Sequence, residues 1–165
     1  MYAPSFDYYR ARSVAEAQQM LASHPGAKFL AGGHSLIPLL KLRLAAPEAV
    51  IDIGRIPELR GISTAGGTLR IGALTTHGEL AASPDVSRHA RALAEAAAVI
   101  GDPAVRNRGT IGGNVAHADP ASDLPAVLVA LGARCVAAGP AGERSIEAGS
   151  SSPGSWRRRC RRTSC

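Results

Sequence analysis

The chain has 165 residues, a net charge of +6, 45% hydrophobic content and only 4% aromatic content. That length suits one domain or two small lobes with real cores, filled by aliphatic side chains because aromatics are scarce. No apolar run reaches the roughly 18–20 residues that span a bilayer, and Met1–Tyr9 lacks the basic-then-apolar order of a secretory leader, which points to the cytoplasm.

The charge sits at one end. Arg157, Arg158, Arg159, Arg161 and Arg162 fall in the last nine positions, and acidic and basic residues nearly balance before them. A nucleic-acid surface needs basic residues interleaved with aromatics on folded structure, so that class is set aside. Cys135, Cys160 and Cys165 form no C-x-x-C pair. No zinc or iron–sulfur site is expected, and Cys135, in an apolar run, reads as a small buried hydrophobe.

In chain order, Phe6–Tyr9 is a short strand. Ser13 and Glu16 match a capping box, and Val14, Ala17, Met20 and Leu21 share one face of a helix to about Ser23. His24-Pro25-Gly26 ends it. Lys28–Ala31 is a short buried strand broken by Gly32-Gly33. Leu36–Leu44 is a leucine-rich helix, with Pro38 tolerable in its first turn. Val50–Ile53 is a strand. Ile62–Ser63 and Thr68–Leu74 form a hairpin about Gly66-Gly67. Thr75 or Thr76 caps a helix ending near Ser83-Pro84. Val86–Ile100 is a second, alanine-rich helix, stopped by Asp102-Pro103. Pro120–Leu131 is helical after its first turn, and Arg134–Ala138 is a strand.

Two glycine pairs stand out. Ala31-Gly32-Gly33-His34-Ser35-Leu36 lies between a strand and a helix, and Thr110-Ile111-Gly112-Gly113-Asn114 follows the alanine-rich helix. A glycine pair frees the backbone for positive φ and for close approach to a ligand, and successive N–H groups can converge on an anion. Thr110 and Asn114 add side-chain donors. There is no G-x-x-x-x-G-K-[ST] and no G-x-G-x-x-G after the first strand, so neither a P-loop nor a Rossmann fingerprint is present. Taken singly, each pair is a tight turn, His34 and His117 are ordinary loop residues, and Asp123 is either the N-cap of a helix over Leu124–Leu131 or a ligand carboxylate.

Together the segments say more. A-G-G-H-S-L-I-P-L-L-K-L-R at 31–43, followed by R-G-T-I-G-G-N-V-A-H-A-D-P-A-S-D-L-P at 108–125, resembles the FAD-binding medium subunit of the molybdenum hydroxylases of the carbon monoxide dehydrogenase and xanthine dehydrogenase type. The likeness covers about residues 1–148. It implies an α+β, two-lobed FAD-binding fold of the vanillyl-alcohol oxidase and para-cresol methylhydroxylase kind, with lobes at 1–55 and 56–148 and the family's C-terminal part missing. It implies that Gly32, Gly33, His34, Ser35 and Leu36 hold the FAD pyrophosphate from one side. Thr110, Ile111, Gly112, Gly113 and Asn114 hold it from the other. Asp123 bonds a hydroxyl of the cofactor, and Lys41 lies near the flavin. The implied partners are a large molybdopterin subunit and a small 2Fe-2S subunit, whose electrons the flavin relays to an acceptor; no residue of this chain has a catalytic role, and no metal is bound.

From Gly149 the chain departs from that pattern. It becomes a basic, aliphatic-free tail, expected to be disordered and read as the product of a shifted reading frame, since a one-nucleotide shift of plausible GC-rich codons restores an apolar continuation. The second lobe's sheet would then keep an open edge, and FAD retention is expected to be weak. Rival readings are a cofactor-free interaction module with this fold and a flavin oxidase acting alone; the latter lacks a substrate domain and a general base.

Overall fold

The computed structural model describes residues 2–150. The first elements are β1 (Asp7–Arg10), α1 (Val14–Ser23), β2 (Lys28–Leu30), α2 (Leu36–Lys41) and β3 (Ala49–Asp52). β3 lies at the centre of a parallel sheet, with Tyr8 of β1 and Lys28 of β2 both opposite Val50. A strand covered on both faces reads as an unbroken apolar run, and Ala49-Val50-Ile51 is buried throughout. α1 turns Val14, Ala17, Met20 and Leu21 onto a core built around Ile51 and Ile56. The Ser13 hydroxyl accepts from the Glu16 N–H at 3.1 Å. The Glu16 carboxylate reaches the Arg12 N–H at 2.6 Å, one residue earlier than the reciprocal bond of a capping box.

α2 is shorter than the leucine pattern predicts. Arg43 adopts a left-handed conformation at φ 57°. The Leu44 N–H donates to the Leu39 carbonyl at 2.9 Å and the Arg43 N–H to the Leu40 carbonyl at 3.1 Å. That is a Schellman closure with arginine in the usual glycine position. It leaves Leu42 and Leu44 exposed beyond the helix.

β4 (Ile62–Ala65) and β5 (Thr68–Ile71) pair antiparallel through Gly66 and Gly67, both at positive φ as a two-residue hairpin turn demands. Then come α3 (His77–Ala82), α4 (Pro84–His89) and α5 (Arg91–Val99). The single helix expected over Val86–Ile100 is thus two, broken at Ala90 (φ −148°, ψ 56°). The break lets Val86 before it and Leu93, Ala94 and Ala97 after it enter one core with Leu80, Leu124 and Leu128. Asp102-Pro103 does not simply stop a helix. The Asp102 carboxylate caps the Val105 N–H at 2.9 Å, and proline opens α6 (Pro103–Arg108). α7 (Ile111–His117) and α8 (Asp123–Ala130) follow.

β6 (Arg134–Gly139) and β7 (Gly142–Glu147) form a second hairpin. Among the described residues the two hairpins stay separate instead of sharing one sheet. Cys135 on β6 is half-buried, not enclosed as its apolar neighbours suggested. The arginine tail and its frame-shift reading lie outside the described residues.

Leu93→Ala removes a fully buried side chain of the second core. It should cost about 2–5 kcal/mol in urea unfolding, whereas Val99→Ala at an exposed position should stay within about 0.5 kcal/mol.

Candidate functional site

The two glycine segments meet. A Cβ on Gly32 would overlap the Arg108 carbonyl and stand 3.1 Å from the Gly109 Cα. A Cβ on Gly113 would lie 3.8 Å from the Ala31 Cβ. The backbones touch because neither strip carries a side chain at the crossing.

The second segment is not the positive-φ loop that its sequence suggests. Gly112 and Gly113 lie in the first turn of α7, and neither has positive φ. Packing explains why glycine is needed inside a helix. A Cβ on Gly112 would stand 2.5 Å from the Ala73 Cβ and 2.7 Å from the Ala73 carbonyl oxygen. The stretch Ala73–His77 runs alongside as a platform. The Gly112 N–H donates to the Ala73 carbonyl (2.8 Å), the Ile111 N–H to Thr75 (3.0 Å), and the His77 N–H to Gly109 (3.0 Å). Thr110 caps α7, its hydroxyl accepting from the Gly113 N–H at 3.1 Å, and the Asn114 N–H donates to the Thr110 carbonyl at 2.9 Å. The amides of Ile111 to Asn114 are therefore satisfied within the chain and do not form an open nest.

The first segment has the opposite character. Gly33 takes the left-handed conformation, φ +81°. Ser35 is the N-cap of α2 but makes no capping bond through its side chain. The N–H groups of His34, Ser35 and Leu36 open the helix without a carbonyl partner, as the first turn of any helix leaves them. His34 and Ser35 are exposed and Leu36 is half-buried.

Asn114 and Ser122 tie the end of the site together. The Asn114 amide donates to the Ser122 hydroxyl at 2.7 Å, and that hydroxyl donates back at 2.9 Å. Ser122 is the N-cap of α8, and Asp123 is its first residue and exposed. Asp123 is therefore not the cap. Lys41 sits at the far end of α2, about 7–9 Å along the axis from Ser35. It lines an apolar hollow with Tyr2, Phe6, Tyr8 and Ile37. A second apolar concavity, of about 250 Å³, lies between α7 and α8, lined by Val115, Ala118, Pro120, Pro125 and Val129.

His77 is a residue that sequence reasoning passed over. Thr75, His77 and Thr110 are the buried polar residues of the described chain, at 2%, 3% and 6% exposure, and all lie at the crossing. Thr75 is satisfied by the Gly61 carbonyl. The His77 Nδ1 has no partner. Burial holds the His77 imidazole below the ordinary histidine value, and the nearby His34 pushes it further in the same direction. A Thr-Thr-His run before a helix gives no local sign of this. Among the described residues, no three His, Cys, Asp or Glu side chains gather to hold a metal ion. No described helix is long and apolar enough to cross a membrane.

The open N–H groups of His34–Leu36 beside the left-handed Gly33 could receive an anion from one side. Gly32→Ala and Gly112→Ala should each lower stability by about 1–3 kcal/mol in urea unfolding. Overlap with backbone outweighs the gain of about 1 kcal/mol that alanine brings to the helix at Gly112. Unchanged midpoints would show that the crossing is not tightly packed.

Residues 4–156 match the family described as the FAD binding domain in molybdopterin dehydrogenase. The carbon monoxide dehydrogenase medium chain of Hydrogenophaga pseudoflava is 52% identical over 149 residues, covering 90% of this chain and 52% of that one. The 6-hydroxypseudooxynicotine dehydrogenase complex subunit alpha of Paenarthrobacter nicotinovorans is 49% identical, covering 88% and 50%. Among solved structures, the Hydrogenophaga pseudoflava carbon monoxide dehydrogenase lacking the Mo-pyranopterin moiety superposes with a TM-score of 0.89 at 52% identity, covering 90% of this chain and 52% of that one. The chain spans about half the length of the relatives it matches. On the family match and the superposition, the chain belongs to the FAD-binding domains of molybdopterin dehydrogenases, whose cofactor is FAD.

Proposed function

We propose that this chain supplies the dinucleotide clamp of an FAD-binding medium subunit in a molybdenum-containing hydroxylase or dehydrogenase. The observation that carries the proposal is the contact between Gly32 and Arg108–Gly109, which makes one site of two segments about eighty residues apart. Gly32, Gly33, His34, Ser35 and Leu36 are the pyrophosphate side, donating through free amides and the Ser35 hydroxyl. Thr110, Ile111, Gly112, Gly113 and Asn114 form the opposing wall, with Thr110 and Asn114 as its polar groups and the glycines as its spacing. Asp123, beside the Asn114–Ser122 pair, accepts from a hydroxyl of the cofactor. Bound flavin supplies the redox chemistry, and the protein contributes binding, orientation and electrostatics.

In the whole assembly the partners are a large molybdopterin subunit and a small 2Fe-2S subunit, and the flavin relays electrons from the clusters to an acceptor. The names of the matched relatives, medium chain and complex subunit, support this reading, and a cytoplasmic setting suits it. The two buried cores support division into lobes at 1–55 and 56–148, with the first core borrowing Ile56, Leu59 and Leu74 from across the boundary.

A second reading is a cofactor-free module with the same fold. It is favoured by the amides of Ile111 to Asn114, which need no ligand to be satisfied. Fluorescence quenching during titration of the intact chain with FAD and with riboflavin separates the two. The clamp requires FAD to bind at least about tenfold more tightly, a difference of about 1.4 kcal/mol. No saturable binding favours the cofactor-free module, and equal affinities count against a clamp on the diphosphate.

A further inference from the structure

We propose that His77 is a positioning residue of the clamp: its ring wedges behind Gly109 and presses the second segment onto the first, and protonating it releases that hold. This rests on the reading of the two segments as one dinucleotide site.

Gly109 is in close contact with both Gly32 and the His77 ring. A Cβ on Gly109 would stand 2.8 Å from the His77 Cδ2 and 2.9 Å from its Nε2. The His77 N–H also holds the Gly109 carbonyl at 3.0 Å. The ring cannot shift toward Gly109 without moving the strip that Gly32 rests on. His34, a residue of the first segment, is the neighbour whose imidazole adds to the lowering of the His77 value.

The wedge is suited to a neutral ring. His77 is buried and its Nδ1 lacks an acceptor, so a proton there has nothing to bond. The titratable and charged groups on the packed elements give no relief. Glu79, on the same helix, accepts from the Thr76 N–H and hydroxyl. Arg91 pairs with Glu95 on α5. On α4 stand Asp85, Arg88 and His89. On α6, Arg106 donates to the Ile100 and Gly101 carbonyls, and Arg108 is exposed. None of these is a counter-charge to His77, and His34 opposes its protonation. A histidine of this kind takes its proton more readily when the chain opens. Its contribution is whole above the ordinary value of 6.5 and is lost as pH falls below it.

Residue-resolved hydrogen exchange of the intact chain, corrected for intrinsic rates, tests this at about pH 8 and about pH 5.5, either side of the ordinary histidine value. In the wild type, protection at the Ile111 and Gly112 amides should fall several-fold at the lower pH, while Ala97 in α5 keeps its own. His77→Phe fills the wedge and cannot titrate, so its protection should be the same at both pH values. His77→Gln serves where the phenylalanine variant does not fold. His77→Ala should show low protection at both. Equal protection in the wild type at both pH values, or the same loss in His77→Phe or His77→Gln, overturns the proposal. FAD titration at the same pH values reads the functional assignment separately. No binding at about pH 8 counts against the FAD clamp, while the exchange pattern still decides the role of His77.

Discussion

The strip of backbone at Arg108–Gly109 packs against both Gly32 and the His77 ring, and the site depends on those two contacts. The missing side chains of Gly32 and Gly109 let two distant segments approach as closely as backbone allows. A methyl group at the crossing forces the segments apart, because protein interiors have no slack to absorb it. The platform Ala73–His77 then fixes the second segment from behind, with three backbone hydrogen bonds spaced along it. The first segment is left with its amides outward. Asymmetry follows directly. One wall of the clamp is spent on structure, and the other is available to an anion.

This asymmetry changes the meaning of the glycines. Gly33 has the left-handed conformation that a turn near an anion uses. Gly32, Gly109 and Gly112 serve proximity instead, and none of them has positive φ. In the proposed FAD clamp, this packing holds the width of the site before the cofactor arrives. Pre-organisation of that kind reduces the ordering cost of binding.

Much of the fold was legible in the residues. The buried Val50–Ile51 run, the Ser13 cap and the Gly66-Gly67 hairpin follow from local patterns that tertiary structure did not override. The break at Ala90 was not legible, because an alanine-rich run favours continuous helix and only the shared core with Leu80 and Leu124 demands the bend. The Gly112-Gly113 helix was hidden for the converse reason. Glycine disfavours helix, and the close approach to Ala73 that requires it is a long-range fact. His77 was hidden because burial, not sequence context, makes a polar residue informative.

The central claim is that the two glycine segments form one dinucleotide site with the first segment as its donor face. Amide chemical shifts followed through an FAD titration of the intact chain test it most directly. Saturable changes are expected, centred on Gly33, His34, Ser35 and Leu36, with smaller ones at Thr110, Asn114 and Asp123. Changes confined to the apolar concavity between Val115 and Val129, with Gly33–Leu36 silent, would contradict it.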